Sequence, residues 1–431
     1  ALQEAIAEGK KILVLINPPY AEATSSENVN SGGLTDSSKI GVAKTKFAQL
    51  GMREFGKASN ELFMQFVSRI AKEIPNATLA MFSTLKYVNS QTLDVFRNNW
   101  NAKFLGGFVV HSKSFDGLKG NFPIGFLVWK TNLLSEKRII INEIETEVFD
   151  KNVQPIGAKV FYNIANDKLL TNWIERPKTN KQDVIPLKNS VSPSSVAKDL
   201  RGTKWSDDAI AYMWCNSNDV QQAARTALFS SGFNGGHGIF VNNNNLWEAS
   251  IVFAVRQLVK HTWVNHNDQF LQPTESLTDE FKIDCLIYML FNGKNLTASA
   301  NELEWNDRKW SIVNHFIPFT EEEVGANDRF ESDFMVQYLR DKKLSAEAKL
   351  VLAEGRKLWS AYFQQTDVRS VREELKLNRP DVGWYQIRNA LKKRNESGDF
   401  MPVSFKPFEE AYKALTEKLQ PMVYELGFLK L

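Results

Sequence analysis

A short apolar strand that ends in two consecutive prolines constrains the fold of this chain more than any other feature. Residues 11–16 form an apolar run of the kind that is buried in a parallel sheet. Asn17, Pro18, Pro19 and Tyr20 follow immediately. Because each proline fixes φ and lacks an N–H, the turn is rigid and its carbonyl oxygens are held outward. The pattern predicts two preorganised acceptors, the Asn17 side-chain oxygen and the Pro18 carbonyl oxygen, beside the aromatic ring of Tyr20.

Alternating strands and helices follow this motif. Apolar runs predict further strands at residues 77–83, 104–111 and 126–130, and amphipathic patterns predict helices at residues 59–73 (with Ser59 as N-cap) and 92–100. Such alternation is typical of a parallel α/β sheet. In an open sheet of this kind, ligands bind beyond the carboxyl ends of the strands, which is where Asn17 lies.

The pattern of apolar and polar residues changes further along the chain. Residues 1–135 predict part of a Rossmann-like α/β sheet, residues 136–330 predict a mixed α+β region, and residues 331–431 predict a helical C-terminal region. Within the middle region, residues 137–149 are expected to form a β-hairpin and residues 246–264 a helix.

The net charge and the cysteine content exclude few functions but indicate the general class of protein. The chain has 53 Lys and Arg against 50 Asp and Glu, a net charge of +3, so only the distribution of charge could indicate a nucleic-acid partner. The two cysteines lie far apart in apolar surroundings, which is typical of reduced thiols. There is no run of 18 apolar residues and no signal-peptide pattern at the start. We expect a cytoplasmic protein without a membrane partner.

The acceptor pair suits a planar base that carries an exocyclic amine. The lone pair of such an amine is delocalised into the ring, and two acceptors that hold its hydrogens favour a nucleophilic, pyramidal nitrogen. Catalysis would then come mainly from positioning and electrostatics. A base inside a duplex cannot reach such a pocket, so it would have to be flipped out.

Four ordered segments resemble the amino-methylating DNA methyltransferases. Asn17–Tyr20 resembles their catalytic motif, and the Asn form with this downstream order is similar to the adenine-N6 enzymes of restriction–modification systems. The other three segments are ASNELFMQFV (58–67), ATLAMFSTLKYVNS (77–90) and KGNFPIGFLVWK (119–130). The resemblance implies that Asn17 and Pro18 grip the adenine amine, and that Tyr20 and Phe122 stack on the flipped base. It also implies that Asn60 and Glu61 border the cofactor, S-adenosylmethionine.

The same resemblance shows that the cofactor-binding motifs of the family are missing from this sequence. The family needs a Gly-rich strand–loop for the methionine part of the cofactor and an acidic residue for its ribose. Only 16 residues precede Asn17, and the Gly cluster at 232–238 lacks a preceding apolar strand that ends in an acidic residue. We therefore expect the chain to be the C-terminal part of a longer methyltransferase, binding cofactor poorly and inactive alone.

Double-stranded DNA is the expected partner, together with restriction or specificity subunits. The region 136–330 is the predicted target-recognition region. The basic residues predicted to meet phosphates are Lys44, Lys46, Arg176, Lys178, Lys181, Arg388 and Lys392, with Lys393 and Arg394 beside the last two.

Other chemistries are less well supported by the sequence. His261, His266 and Asp268 could be imagined as metal ligands, but no further Cys or carboxylate stands at ligand spacing, so we expect no metal and a structural or solvent-exposed role for them. Three alternatives to adenine methylation stay open. They are a cytosine-N4 methyltransferase, a non-catalytic DNA-binding or assembly subunit, and a methyltransferase of protein or RNA.

Overall fold

Six strands form the sheet that carries the Asn17 motif. The computed structural model describes residues 1–19, 45–118, 120–131, 139–184, 202–232, 238–305, 307–364, 381–392 and 403–431. The strands of this sheet are β1 (Leu13–Ile16), β2 (Thr78–Thr84), β3 (Ala102–His111), β4 (Pro123–Thr131), β5 (Glu143–Phe149) and β6 (Pro155–Tyr162). Each of the four predicted strands is present within a few residues of its expected bounds.

The sheet is mixed, which corrects the prediction of a parallel sheet. Its order is β1-β2-β4-β3-β5-β6. β1 pairs in parallel with β2, and β3 with β5, but β4 runs antiparallel to both β2 and β3. The reason is the connection from β3 to β4, which is too short for the crossover that a parallel neighbour needs. The predicted hairpin is also displaced, because β5 pairs with β6 rather than with residues just before it.

Helices pack on this sheet around a core of large aromatic side chains. They are α2 (Lys46–Gly51), α3 (Leu62–Glu73), α4 (Lys86–Asn89) and α5 (Asp94–Asn99), with 3₁₀ turns at Arg53–Asn60 and Gln91–Leu93. A further helix, α1 (Leu2–Ala7), precedes β1 and has no buried residue. The N-cap of α3 is Glu61, not the predicted Ser59, because the 3₁₀ helix occupies the residues before it. Trp129 is fully buried, and its ring centroid lies 5.0 Å from Trp100 and 5.8 Å from Tyr87.

Close packing between β3 and β4 depends on Gly107. Its φ is +154°, and a Cβ atom there would lie 2.2 Å from the Phe126 carbonyl oxygen. At the edge of the sheet, β1 leaves Leu13 and Leu15 largely exposed among the described residues. The centre of the sheet is therefore tightly fixed, and its β1 edge presents apolar side chains.

The downstream region contains short strands and longer helices. Its strands are β7 (Asn180–Lys181), β8 (Lys204–Trp205), β9 (Ala211–Trp214), β10 (Ala227–Phe229), β11 (Gly238–Val241), β12 (Asn295–Leu296), β13 (Ala300–Trp305) and β14 (Arg308–Ile312). Its helices are α6 (Leu246–Leu258), α7 (Asp279–Leu290), α8 (Glu321–Val324), α9 (Phe334–Leu339), α10 (Ala346–Gln364), α11 (Trp384–Leu391) and α12 (Lys406–Glu425). Further 3₁₀ turns lie at Ser112–Ser114, Asn166–Lys168, Leu170–Asn172 and Val220–Arg225.

A second hydrophobic core gathers α6, α7, α10 and α12. Lys418 on α12 joins three of these helices, because its Nζ lies 2.7 Å from the buried Asp284 carboxylate of α7 and 3.2 Å from Glu347 of α10. Backbone bonds fasten the residues after α12 as well. The Leu271 N–H donates to the Phe428 carbonyl at 2.8 Å, and the Thr274 N–H donates to the Leu426 carbonyl at 3.0 Å.

The predicted fold class is confirmed at the level of an α/β chain with a multi-stranded mixed sheet and C-terminal helices. β5 and β6 continue the sheet beyond residue 135, and the second core extends from Leu170 to Leu429. The predicted boundaries at 135 and 330 stay predictions. The predicted helix over 246–264 is shorter than expected and ends at Leu258.

Candidate functional site

The carboxyl edge of the sheet brings the predicted motif and the Phe122 loop to one side of the molecule. Ile16 at the end of β1 is in register with Met81 of β2. Since β4 is antiparallel, its first residues lie beside the last residues of its neighbours, with Thr84 opposite Ile124 and His111 opposite Pro123. Strands in a sheet are about 4.8 Å apart. Asn17 and Phe122 therefore both lie towards the carboxyl ends of β1 and β2, two strands apart, with Asn17 level with Phe82 and Phe126 and Phe122 further out along the strand direction.

The turn after β1 places Asn17, Pro18 and Pro19 directly beyond the strand, and the acceptor role predicted for Asn17 and Pro18 stays a prediction. Pro18 is buried, whereas Asn17 on one side and Pro19 on the other are exposed. Burial of the ring between two exposed neighbours anchors the turn, and proline at both positions removes two backbone donors. Tyr20, predicted to stack on the base, lies outside the described residues.

Phe122 is held by the residue that follows β3. The Phe122 N–H donates to Ser112 Oγ at 3.3 Å, and the Phe122 carbonyl accepts from the Ser112 N–H at 3.0 Å. The Ser112 hydroxyl in turn donates to the Gly120 carbonyl at 2.6 Å. A Cβ atom at position 120 would lie 2.5 Å from the Phe122 ring, so glycine leaves the space that the ring uses. The ring is half-buried.

A segment from the downstream region, residues 261–268, also reaches this edge. The ring centroid of His266 lies 6.1 Å from that of Phe122, and the ring of Trp263 lies 4.9 Å from that of His111. His261 Nε2 and His266 Nδ1 are 3.0 Å apart. The sequence predicted only a structural role for this segment, and no periodic pattern in it indicated that it would meet Phe122.

The 261–268 segment is fastened to the sheet by an ion pair. Lys159 of β6 places its Nζ 2.8 Å from the Asp268 carboxylate, and the two side chains are only 13% and 12% exposed. Burial raises the pKa of the Asp268 carboxyl group, and the charge and hydrogen bond of Lys159 oppose that rise. Each charge of the pair therefore depends on the other, because either group alone would be a poorly solvated charge.

On its other side the segment is bonded to residues 216–222, called here the 216–222 loop. The Val220 N–H donates to the Asp268 carbonyl at 2.9 Å, and the Gln221 N–H donates to the His266 carbonyl at 3.2 Å. The fully buried Arg256 of α6 organises that loop by donating to the carbonyls of Ser217 and Asn216 at 2.6 and 2.9 Å. A buried guanidinium that is saturated by carbonyls makes the loop rigid.

The electrostatics of the segment favour a neutral imidazole. Burial, together with the nearby charges of His261 and Lys86, lowers the pKa of His266 to about 4. Burial also lowers the pKa of His261. At neutral pH both rings are therefore uncharged, and the His266 ring meets Phe122 as an aromatic surface.

Glu61, predicted to border the cofactor, is engaged by a lysine. Its carboxylate lies 2.6 Å from Nζ of Lys86, the residue that begins α4 just beyond β2, and the Glu61 side chain is 13% exposed. Asn60 ends the preceding 3₁₀ helix and is half-buried. The structure brings Glu61 to the same edge as Lys86 and His266, and a cofactor contact at Asn60 or Glu61 stays a prediction.

The predicted DNA-contacting lysines and arginines are dispersed. Lys46 is exposed at the start of α2, and Lys178 and Lys181 are exposed around β7. Arg176 donates to the Gly238 and Thr171 carbonyls at 2.9 and 3.3 Å, so its guanidinium contributes to local structure. Lys44, Lys393 and Arg394 lie outside the described residues.

Arg388 and Lys392 line a cavity of about 330 Å³ between α11 and α12. Lys392 pairs with Glu409 at 3.1 Å and lies 4.5 Å from the centre of the Phe405 ring. Burial lowers the pKa of the Arg388 guanidinium. DNA binding by any of these residues stays a prediction.

The described residues contain neither a candidate metal site nor a helix that could span a membrane. Within the described ranges, no three His, Cys, Asp or Glu side chains are grouped so that they could hold a metal ion. None of the described helices combines the length and apolar character needed to cross a bilayer. Cys215 and Cys285 are both buried, and neither forms a disulfide.

Comparisons with known proteins give only distant similarity. No protein-family description and no curated protein matches the chain. Among solved structures it is similar to a DrdV–DNA complex, with 7% identity over 50% of this chain and 23% of that one, at a TM-score of 0.23. It is also similar to a nuclease-deletion mutant of the Type ISP restriction–modification enzyme LlaGI with a DNA substrate mimic, with 12% identity over 52% and 22% at a TM-score of 0.24.

A third similar structure is the ATP-dependent Type ISP restriction–modification enzyme LlaBIII bound to DNA, with 12% identity over 49% of this chain and 15% of that one, at a TM-score of 0.23. The chain thus spans less than a quarter of each of these proteins. At TM-scores this low, the similarity carries no argument about the activity of this chain.

Proposed function

We propose that this chain carries the target-base end of a DNA adenine-N6 methyltransferase of a restriction–modification system. One observation carries the proposal. The Asn17–Pro18 turn leaves β1 at the carboxyl edge of the sheet, and the clamped Phe122 loop lies on the same edge. An acceptor pair and an aromatic wall on one edge are what recognition of a flipped base with an amine requires.

The residues act by positioning rather than by proton transfer. The Asn17 side-chain oxygen and the Pro18 carbonyl oxygen accept the two amine hydrogens, so the nitrogen lone pair is no longer shared with the ring. Because the prolines fix the turn, little reorganisation is needed when the base arrives. Phe122 packs against the face of the base.

The described residues do not by themselves fit S-adenosylmethionine, which supplies the methyl group in this reaction. Glu61, the carboxylate predicted nearest the cofactor, is already paired with Lys86 at 2.6 Å. We therefore assign no step to the cofactor here, and the proposal concerns the base-binding residues alone. The activity test uses the whole protein with added S-adenosylmethionine.

The test is methyl transfer to unmethylated plasmid DNA, followed by digestion to nucleosides and mass spectrometry. We expect N6-methyldeoxyadenosine as the product, and Asn17→Ala should lower the rate by about a hundredfold or more while DNA binding survives. The matched control is Asn98→Ala, an exposed asparagine of α5 at the opposite edge of the sheet.

Each alternative gives a distinct result in the same test. N4-methyldeoxycytidine as the product would identify a cytosine enzyme. DNA binding without any methylated product would identify a non-catalytic subunit. Full activity of Asn17→Ala would contradict the assignment of the motif.

A further inference from the structure

We propose that His266 is a positioning residue for Phe122, so that the 261–268 segment forms one wall of the base site. The inference deepens the proposed function and rests on it. Its starting point is the contact between the two rings, whose centroids are 6.1 Å apart at an interplanar angle of 48°. Tilted aromatic pairs at this distance attract each other beyond their shared burial.

Phe122 is restrained on two sides by different parts of the chain. Its backbone is bonded to Ser112, which fixes where the loop leaves the sheet. That clamp does not fix the side chain, since the ring is half-buried and rotates about its own bonds. The ring of His266 supplies the missing restraint, because it blocks rotation of the Phe122 ring away from the edge.

The wall is rigid because it is anchored to both cores. Lys159 ties Asp268 to β6 of the sheet, with 2.8 Å between Nζ and the carboxylate. The backbone bonds to Val220 and Gln221 tie the same segment to the 216–222 loop. The downstream region therefore reaches the edge of the sheet through this segment.

Positioning explains the environment of His266 better than proton transfer or metal binding. Two titratable groups act on its ring, His261 and Lys86, and Lys86 is itself paired with the Glu61 carboxylate. The depressed pKa keeps the ring neutral at pH 7, so it is a weak base. Asp268, the nearest carboxylate in the segment, is occupied by Lys159.

The first experiment needs no activity. Hydrogen exchange at the amides of residues 120–122 is measured by mass spectrometry in the wild type, in His266→Ala and in His266→Phe. We expect faster exchange in His266→Ala and wild-type exchange in His266→Phe, because phenylalanine restores an aromatic face. The control His315→Ala removes a half-buried histidine that bonds to Ser332 instead, and it should leave exchange at residues 120–122 unchanged.

The second experiment is a double-mutant cycle on the rate of methyl transfer. His266→Ala should lower kcat by about three- to tenfold with little change in KM for DNA, which is the range that an aromatic pair accounts for. In a Phe122→Ala background the same change should have no further effect, because His266 acts through Phe122. His266→Phe should restore most of the rate, and thermal unfolding checks that each variant is folded.

The outcomes separate this proposal from the proposed function. Unchanged exchange at residues 120–122 in His266→Ala, or additive losses in the cycle, overturns the positioning role. Loss of activity in both His266→Phe and His266→Ala overturns it in favour of a role for the imidazole nitrogens. If Asn17→Ala stays fully active, the proposed function fails while the exchange result still decides whether His266 positions Phe122.

Discussion

The two large hydrophobic cores among the described residues differ in how far apart along the chain their members lie. The core on the six-stranded sheet runs from Ala48 to Phe161, and its elements follow one another in sequence. The helical core runs from Leu170 to Leu429 and joins helices separated by long stretches of chain. The sheet core is therefore built from elements that lie close together in the sequence. The helical core instead places one distant segment, residues 261–268, at the edge of the sheet.

Removing Trp129 should break the sheet core and leave the helical core intact. Trp129 is fully buried, and its indole N–H donates to Tyr87 Oη at 2.8 Å. Trp129→Ala should lower the free energy of unfolding of the sheet region by about 3–5 kcal/mol. Urea denaturation followed by hydrogen exchange resolves which region opens.

The matched control for this change is Leu105→Ala on β3, where the side chain is 51% exposed. It should cost less than about 1 kcal/mol. Equal loss of protection in the sheet and in α6 or α7 would contradict the separation of the two cores.

Removing Lys159 should weaken the contact between the sheet and the 261–268 segment. Lys159→Met leaves the Asp268 carboxylate mostly buried and unpaired, at a cost of about 2 kcal/mol in the free energy of unfolding. The double variant Lys159→Met with Asp268→Leu should recover part of that loss, because no buried charge remains.

An exposed pair of similar length provides the control for Lys159. Arg308 lies 2.9 Å from Asp183, but both side chains are more than 60% exposed, so Arg308→Met should change stability by less than about 0.5 kcal/mol. Equal effects of the two lysine and arginine variants would show that burial of the Lys159–Asp268 pair is unimportant.

A smaller effect is expected from pH, through His266. The folded protein holds its pKa at about 4, below the value of about 6.5 in an unfolded chain. Between these values the unfolded chain binds the extra proton, so this histidine reduces stability as pH falls from about 6.5 to 4. The measurement is the urea midpoint at pH 7 and pH 5 for the wild type and for His266→Phe.

The wild type should lose more stability than His266→Phe over that interval. Using the difference between the two proteins cancels the contributions of groups that they share, such as His111 and Asp268, whose pKa values are also displaced. Equal losses would contradict the depressed pKa of His266.

The sheet could be predicted from the sequence because its elements lie close together along the chain. Apolar runs located β1 to β4, and the position of Asn17 directly after a strand placed the motif at a carboxyl edge. The direction of β4 was predicted wrongly, since an apolar run does not encode its direction and the short connection from β3 decided it.

The contact to the downstream segment could not be predicted in the same way. The position of His266 depends on Lys159 meeting Asp268, which is 109 residues further along the chain, and on Arg256 shaping the 216–222 loop. No short-range pattern encodes such pairings. The signal that was present, two histidines and a tryptophan within 261–268, indicated an unusual segment but not its neighbour.

The position of α12 has a consequence for protein synthesis. Lys418 bonds to Glu280, 138 residues earlier, and the backbone after α12 bonds to Leu271 and Thr274. The ribosome makes α6 and α7 long before these partners exist, so their apolar faces stay uncovered while the nascent chain grows. Chaperone binding during translation should therefore concentrate on α6 and α7, and should end only when α12 has left the exit tunnel.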